Sequence, residues 1–470
     1  MRGIVTYGSY LPYWRLERKA IAQALGTSAG SGTRSVASHD EDTTSLGVEA
    51  ARAALRALSH PEPAALYFAT VDPAYLDKTN ATALHAALDL PASAMAVDMA
   101  GSVRSAAGAL RAALDARAPA LAVHADIRTG LPGSGDERDG GDAAAAFLCA
   151  DDSAEHPVLA EPIGAASSTG EFLDRWRLPG DSVSRQWEER FGEAAYVPLG
   201  EAALAEALKQ AGITAPGLDV LIVAGPHGRA VKRVAAGAGA RKEALGDDLG
   251  QSVGNTGAAH AGLLLADALD RARPDQTIAV VSLADGADVT IWRSTGALGS
   301  RRARPSVAEQ VASARGRVDY TTWLTWRGML RREPPRRPDP RPPEAPPAFR
   351  REAWKFAFTG SRCEACGARH LPPQRVCVKC HAIDRMRPER LADVPATIAT
   401  CTVDRLAYSL SPPVVVGVID FDGGGRFQCE MTDVDPAAVR IGDRVEMTFR
   451  RLLTADGVHN YFWKARPVRA

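Results

Sequence analysis

Four cysteines carry the most legible chemistry in the chain. Cys363-Glu-Ala-Cys366 and Cys377-Val-Lys-Cys380 are two Cys-x-x-Cys knuckles ten residues apart. Four thiolates presented by two tight turns suit a tetrahedral zinc ion, with iron as the less common occupant. Gly367 stands directly after the first knuckle, where such a turn often needs a positive φ. Four protein ligands leave no open coordination position, so the metal is expected to build structure rather than do chemistry. The competing reading is four unrelated thiols or two disulfides, which an intracellular chain disfavours. The other three cysteines, Cys149, Cys401 and Cys429, are scattered and read as buried thiols.

These knuckles divide the 470-residue chain into a large part before them and a small one after. An apolar content of 46% is enough for ordinary cores. The net charge of zero gives no support for a nucleic-acid or acidic-membrane partner. The opening Met-Arg-Gly-Ile-Val-Thr-Tyr-Gly has too short an apolar run for a signal peptide. No run of about 18 apolar residues could span a membrane. A cytoplasmic location is expected.

The first 300 residues alternate helix and strand patterns, and they do so twice. Thr44–Leu58 reads as an Ala-rich helix capped among Asp42, Thr43 and Thr44, and a Pro-containing link leads to the strand Leu66–Thr70. Leu199–Ala211 and Val220–Ala224 repeat that helix and strand. Ala94–Asp98 reads as a strand, Val103–Ala116 as a small-residue helix and Ala120–His124 as a strand. In the second half, Gly254-Asn-Thr-Gly257 is the turn, Ala258–Arg271 the helix and Thr277–Leu283 the strand. Continuous apolar strands joined by helices mean sheets covered by helices. The fold class is α/β, built as a duplicated unit.

Such a duplicated unit with Gly-rich strand-to-helix turns resembles the thiolase superfamily, and more narrowly the archaeal type of hydroxymethylglutaryl-CoA synthase. The likeness runs from Gly3 to about Gly296. It is carried by Gly3-Ile-Val-Thr-Tyr-Gly-Ser-Tyr-Leu-Pro12, Val36-Ala-Ser-His-Asp-Glu-Asp-Thr43, Gly140-Gly-Asp-Ala-Ala-Ala-Ala-Phe147 and Gly254-Asn-Thr-Gly257. The resemblance implies carbon–carbon condensation of acyl-CoA units. In that chemistry a cysteine at a helix N-terminus is acylated, a histidine polarises the second substrate and a glutamate moves the proton. A thiolate is the strong nucleophile such a step needs, and a helix N-terminus lowers its pKa.

All three positions depart from the pattern. The cysteine belongs just after Asp98, where the chain reads Met99-Ala-Gly-Ser102-Val103-Arg104-Ser105. The nearest cysteine, Cys149, falls on another strand. The histidine position, two residues before the proline, is Ala224. The glutamate position after Leu66–Thr70 holds Val71 and then Asp72. The asparagine of the Gly-Asn-Thr-Gly turn is kept as Asn255. Ser102 is either a replacement nucleophile, which needs a base within reach, or a small residue for close packing. His227 is either a base swung in from its Gly-rich loop or a surface residue. Asn255 either holds an acyl oxygen or caps the following helix. Asp72 is the candidate proton carrier. His124 and His260 carry only a core and a helix-start reading.

Beyond Arg301 the composition changes. Val318–Gly328 reads as a short amphipathic helix whose Trp323 and Trp326 pack on a neighbour. Glu333–Phe349 is dense in proline and arginine and reads as a solvated, semi-rigid polyproline spacer. After the knuckles come five short strands: Ala396–Val403, Val414–Phe421, Phe427–Met431, Arg444–Phe449 and Asn460–Lys464. They suggest a small OB-type β-barrel. The rubredoxin-like zinc ribbon followed by this barrel resembles the family called domain of unknown function 35. The likeness rests on Cys-x-x-Cys-Gly, Pro-Pro, Cys-x-x-Cys and Ile441-Gly-Asp-Arg-Val445, across Trp354 to Pro467. That resemblance implies a companion of thiolases that holds acyl-CoA or bridges subunits. OB barrels also bind single-stranded nucleic acid, but Phe421, Phe427 and Phe449 look like core.

The expected domains are 1–300 (thiolase-like), 301–350 (helix and linker), 351–390 (zinc ribbon) and 391–470 (OB barrel). The expected function is an acyl-CoA-binding subunit of a thiolase-type condensing or cleaving complex, with structural zinc. A CoA thioester is the ligand or substrate, and the partner is a separately encoded thiolase within a dimer or higher oligomer. The alternatives are an active acyltransferase with replaced residues and, least favoured, a nucleic-acid-binding protein.

Overall fold

The computed structural model describes every residue except Ala29, Ala57, residues 59–62 and Ala470. Part of the expected helix Thr44–Leu58, and of the link after it, falls outside the described residues. The chain forms two compact units. One comprises Met1–Ala37, Glu49–Thr82 and Pro91–Tyr320; the other comprises Ser38–Val48, Ala83–Leu90 and Thr321–Ala470.

The first unit is organised on a nine-stranded mixed sheet. Its strands, in chain order, are β1 (Arg2–Tyr10), β2 (Ala65–Thr70), β3 (Met95–Ala100), β4 (Ala120–Ile127), β5 (Asp142–Asp151), β6 (Ala160–Thr169), β7 (Val220–Ala224), β8 (Thr277–Leu283) and β9 (Gly286–Ser294). They lie side by side as β7-β8-β9-β6-β1-β5-β4-β2-β3. The two halves repeat one plan. In the first, β3, β2 and β4 are parallel, then β5 and β1 run antiparallel. In the second, β7 and β8 are parallel, then β9 and β6 run antiparallel. The counterpart of β3 is reduced to a single parallel bridge, Leu221 to Leu245. The duplication legible in the sequence is thus a duplication of topology.

Burial explains these elements. Every residue of β4 is buried, and β5 is buried up to its last residue. Such continuous runs belong to strands covered on both faces. The helix His260–Arg271 is buried on nearly all sides, as a helix between two layers must be. The helix expected at Leu199–Ala211 runs from Glu189 to Ala211 and contains Pro198. Proline removes one helical hydrogen bond. The buried face made by Tyr196, Gly200, Ala203, Leu204 and Ala207 carries the helix through it. At Gly164 of β6, an added Cβ would stand 2.5 Å from the Ala207 carbonyl oxygen, so glycine lets this helix lie close on the sheet.

In the second unit, Thr359–Cys363, Arg369–His370 and Met386–Arg390 make a three-stranded ribbon sheet. Five further strands close into a barrel in the order Ala396–Asp404, Val414–Phe421, Arg426–Met431, Val458–Pro467 and Arg444–Ala455. The last two in chain order are longer than expected. They form one hairpin about Asp456-Gly457, whose φ angles of 50° and 75° are those of a type I′ turn. Phe421 and Phe449 are buried as expected, while Phe427 is half-buried against Trp354, Phe358 and Phe462. The Trp-containing helix spans Tyr320–Trp326, and Trp326 Nε1 donates to the Leu410 carbonyl at 2.9 Å. The polyproline reading of the Pro/Arg run needs one correction, because Ala345–Arg350 is helical. Pro346 and Pro347 stand in the first turn, where a missing N–H costs nothing. No helix among the described residues is long and apolar enough to cross a membrane.

Candidate active site and metal centre

In the first unit, the carboxyl ends of parallel strands from both halves open on cavities, the usual place for a site in such sheets. Asp72 follows β2, Ser102 follows β3, Arg128 follows β4, Pro226 follows β7 and Asp285 follows β8. These five line a cavity of about 580 Å³ together with Arg175 and Arg177. A second cavity, of about 930 Å³, is lined by His227, Asn255 and His260 among others. The two cavities share Arg128 and Pro226.

Ser102 sits at the head of the helix Ser105–Asp115, as expected, after Gly101 with a φ of 114°. Its Oγ accepts the Arg104 N–H at 3.0 Å. No histidine or carboxylate hydrogen-bonds to it among the described residues.

His227 is buried rather than a surface residue. Its Nδ1 accepts the Ala230 N–H at 3.1 Å and so caps the helix Gly228–Gly237. Nε2 must then carry the proton, and it donates to the Glu189 carbonyl at 2.9 Å. Gly192 makes room for the ring, since a Cβ there would lie 2.5 Å from His227 Cδ2. Asn255 fastens its turn to the end of β7. Its Nδ2 donates to the Gly225 carbonyl at 2.7 Å, and its Oδ1 accepts the Gly257 N–H at 3.0 Å. Asp72 faces Arg177 at 3.6 Å. His124 and His260 are buried, and burial pushes both imidazoles down to about 4.

Sequence reasoning missed four charged residues here. Asp126 is fully buried at the end of β4, and its Oδ2 accepts the Ala258 N–H at 2.9 Å. Burial pushes its carboxyl up to about 7. The strand was expected to stop at His124; two more residues of buried strand put Asp126 inside. Arg128 lies 3.9 Å from Asp126 and 3.7 Å from Asp136. Arg175 pairs with Asp136, and Arg177 donates to the Val71 carbonyl. Nothing in the spacing of these arginines flags them, because only the fold brings them together.

In the second unit, the two knuckles converge. The four cysteine Sγ atoms all lie within 4.8 Å of one another. Cys363 and Cys380 are 3.7 Å apart at sulfur, and Cys366 and Cys377 are 3.5 Å apart. A tetrahedral zinc with Zn–S bonds of about 2.3 Å sets its sulfurs about 3.8 Å apart, so the residues fit the ion. All four are free thiols, with no disulfide. Each knuckle closes with the same backbone bond: Gly367 N–H to the Cys363 carbonyl at 2.8 Å, and His381 N–H to the Cys377 carbonyl at 2.9 Å. Gly367 has a φ of 75° and His381 one of 59°, so the second turn holds a histidine where the first uses glycine. The Cys380 N–H points at Cys377 Sγ and helps pull that thiol down to about 5.

Comparison with known proteins places these features. Residues 356–383 match the family described as the ChsH2 rubredoxin-like zinc ribbon domain, and residues 389–450 match the ChsH2 C-terminal OB-fold domain. The hydroxymethylglutaryl-CoA synthase of Methanosphaera stadtmanae is 28% identical over 348 residues, covering 70% of this chain and 99% of that protein. The enzyme of the same name from Methanothermobacter thermautotrophicus is 29% identical over 349 residues, with the same coverage of both chains. Among solved structures, an HMG-CoA synthase complexed with CoA superposes with a TM-score of 0.60 at 16% identity, over 69% of this chain and 89% of that one. A 3-oxoacyl-(acyl carrier protein) synthase III from Pseudomonas aeruginosa gives 0.55 at 21% identity, over 63% and 98%. The chain thus joins a thiolase-fold domain similar to hydroxymethylglutaryl-CoA synthases to a zinc ribbon and an OB-fold domain of the ChsH2 type.

Proposed function

We propose that the protein is an acyl-CoA-binding subunit of a thiolase-type complex that makes or breaks carbon–carbon bonds, and that its own thiolase-fold domain runs no cysteine-based condensation. The observation that carries this is the head of the helix Ser105–Asp115. Gly101 and Ser102 stand there without a thiol, and the Ser102 hydroxyl serves a backbone N–H rather than a base. A serine hydroxyl without a base is a poor nucleophile. His227 and Asn255 hold backbone groups with their side chains, which ties both to the architecture of the site. The cavities at the strand ends remain, at volumes ordinary for small-molecule sites. A CoA-bound synthase of the same fold makes a CoA thioester the natural ligand.

The chemistry itself would belong to a separately encoded thiolase, and the zinc ribbon, held by Cys363, Cys366, Cys377 and Cys380, would stiffen the C-terminal part that accompanies it. Holding an acyl-CoA beside the catalytic chain raises its local concentration there. The test is co-expression with thiolases from the same source, followed by size-exclusion chromatography and a condensation and cleavage assay. A thiolase that co-elutes and gains activity on adding this chain supports the reading; no co-elution and no gain defeats it. Intact-mass measurement after incubation with acyl-CoA thioesters separates the other reading. A stable acyl adduct lost in Ser102→Ala would make the chain an acyltransferase with a replaced nucleophile.

A further inference from the structure

A third cavity, of about 350 Å³, lies within the second unit. Pro343 and Pro347 of the proline-rich run line it, with Leu452 and Phe462 of the barrel hairpin. Trp354 and Lys355 enter it from the short helix Glu352–Lys355. Apolar and aromatic walls with a few polar groups are those of a small-molecule site. The Trp354 ring is held by packing, with its centre 5.2 Å from that of Phe462 and 5.1 Å from that of Phe358. Lys355 is half-buried, and its Nζ lies 5.6 Å from the centre of the Phe356 ring. Burial pushes its ammonium pKa down, and among the described residues no carboxylate pairs with it to oppose that. The other titratable groups on the walls are Glu344, Arg351 and Tyr461. The Tyr461 hydroxyl is committed to Asp42 at 2.6 Å.

The other lysines differ in kind. Lys464 is buried between Asp40 and Glu430, and Lys209 pairs with Glu206 at 3.6 Å. Burial lowers Lys78 as well, but Asp98 works to keep its charge, and its Nζ donates to the Thr79 carbonyl and to Thr82 Oγ1, each at 3.0 Å. Lys19, Lys232, Lys242 and Lys379 are exposed. Lys355 therefore combines a desolvated amine, no acceptor among the described residues and a cavity beside it. A lysine desolvated among apolar groups is the form of this side chain that acts as a nucleophile.

We propose that Lys355 is an acyl-acceptor site, modified on its amine by a thioester that enters the cavity beside Trp354 and Phe462. The nitrogen lone pair attacks the thioester carbonyl, the C–S bond breaks, and the thiol leaves with the proton that the amine gives up. The product is an amide, and no oxidant, reductant or further co-reactant is needed. Acylation replaces a positive charge by a neutral group on the cavity wall. The choice of an acyl-CoA as the donor rests on the acyl-CoA reading above; the site itself does not.

The test incubates the full-length protein near neutral pH with acetyl-CoA and, separately, with the acetyl thioester of N-acetylcysteamine, which lacks the nucleotide. Intact mass counts the adducts, and peptide mapping places them. Hydroxylamine spares an amide on Lys355 and removes an ester on Ser102. With at least one donor, Lys355 should be acetylated on the order of tenfold faster than the exposed Lys19 and Lys242. Lys355→Arg should remove that leading adduct, with zinc content and unfolding midpoint confirming a folded chain. Selective labelling by the small thioester alone would keep the site and exclude acyl-CoA as its donor. Acetylation of Lys355 no faster than that of Lys19 and Lys242 with both donors would overturn the proposal. Isothermal titration with CoA and acetyl-CoA reports on the acyl-CoA reading separately: binding without selective acylation leaves that reading standing, and no binding counts against it whatever Lys355 does.

Discussion

Asp126 and Gly257 are packed so tightly that a Cβ added to Gly257 would lie 1.9 Å from Asp126 Oδ2. Gly257 also has a φ of 56°, a conformation that glycine adopts at least cost. The contact ties the end of β4 in the first half to the Gly254–Gly257 turn of the second, and the Ala258 N–H donates to the same oxygen. Gly257→Ala should therefore lower stability by about 3 kcal/mol. Urea unfolding checks this, and a change within 0.5 kcal/mol would show that the turn relaxes freely.

The same carboxylate makes a pH prediction. Burial raises the Asp126 carboxyl from 3.8 to about 7, so between those values the folded chain binds more protons than the unfolded one. This contribution to stability is present at low pH and is lost as pH rises toward 7. His124 and His260, pushed down to about 4, act in the opposite direction, losing stability as pH falls below their unfolded value. The comparison with Asp126→Asn isolates the aspartate. Between pH 5 and pH 8 the native chain should lose about 2–3 kcal/mol relative to the variant. Parallel pH profiles of the two proteins would contradict it.

What was legible in the sequence was what periodicity and spacing encode. β7 and β8 begin and end where their apolar runs do, and the four cysteines announce their convergence by spacing alone. Boundaries failed where tertiary burial overrode a local signal. The helix expected at Leu199–Ala211 stopped short of Pro198, which lies inside a helix held by its buried face, and the strand expected at Ala120–His124 ended three residues before the true end. The grouping of Arg128, Arg175 and Arg177 was invisible, because Arg128 follows β4 while Arg175 and Arg177 lie in the long connection after β6. That Met99-Ala-Gly-Ser102 holds no cysteine is a matter of residue type and needs no fold to read.

The metal prediction follows from sulfur geometry. Freshly purified protein should contain one zinc per chain by elemental analysis. Structural zinc in small domains is worth on the order of 10–16 kcal/mol of apparent binding energy coupled to folding. Cys363→Ser should remove the metal and increase amide exchange across Thr359–Cys363 and Met386–Arg390, while strands β1–β9 keep their protection. Metal-free protein with a protected ribbon would refute this.

The segment Ser38–Val48, part of a run read as a family motif, supplies acids to a buried ionic cluster in the second unit. Arg450 has no exposed side-chain surface. It donates to Asp433 Oδ2 at 2.7 Å, pairs with Glu41 and lies 3.8 Å from Asp40. Lys464 reaches Asp40 at 3.0 Å and Glu430 at 2.8 Å. Burial alone would raise the Asp40 carboxyl, yet Lys464, His39 and Arg450 hold it well below the usual range. Tyr461 adds a bond to Asp42 Oδ2 at 2.6 Å. Removing one partner of such a cluster leaves buried charge uncompensated, typically at a cost of about 3–5 kcal/mol. Arg450→Met keeps the volume but removes the guanidinium that Asp40, Glu41 and Asp433 share, leaving Lys464 beside Asp40 and Arg469 beside Asp433. It should speed amide exchange in Arg444–Ala455 and Val458–Pro467 and make the barrel sensitive to proteolysis. The effect should ease as pH falls, because protonation lowers the excess negative charge left in the cluster. Equal exchange in the two proteins at pH 7 would mean that the cluster contributes nothing to barrel stability. A defect that persists unchanged at low pH would assign the loss to packing rather than charge.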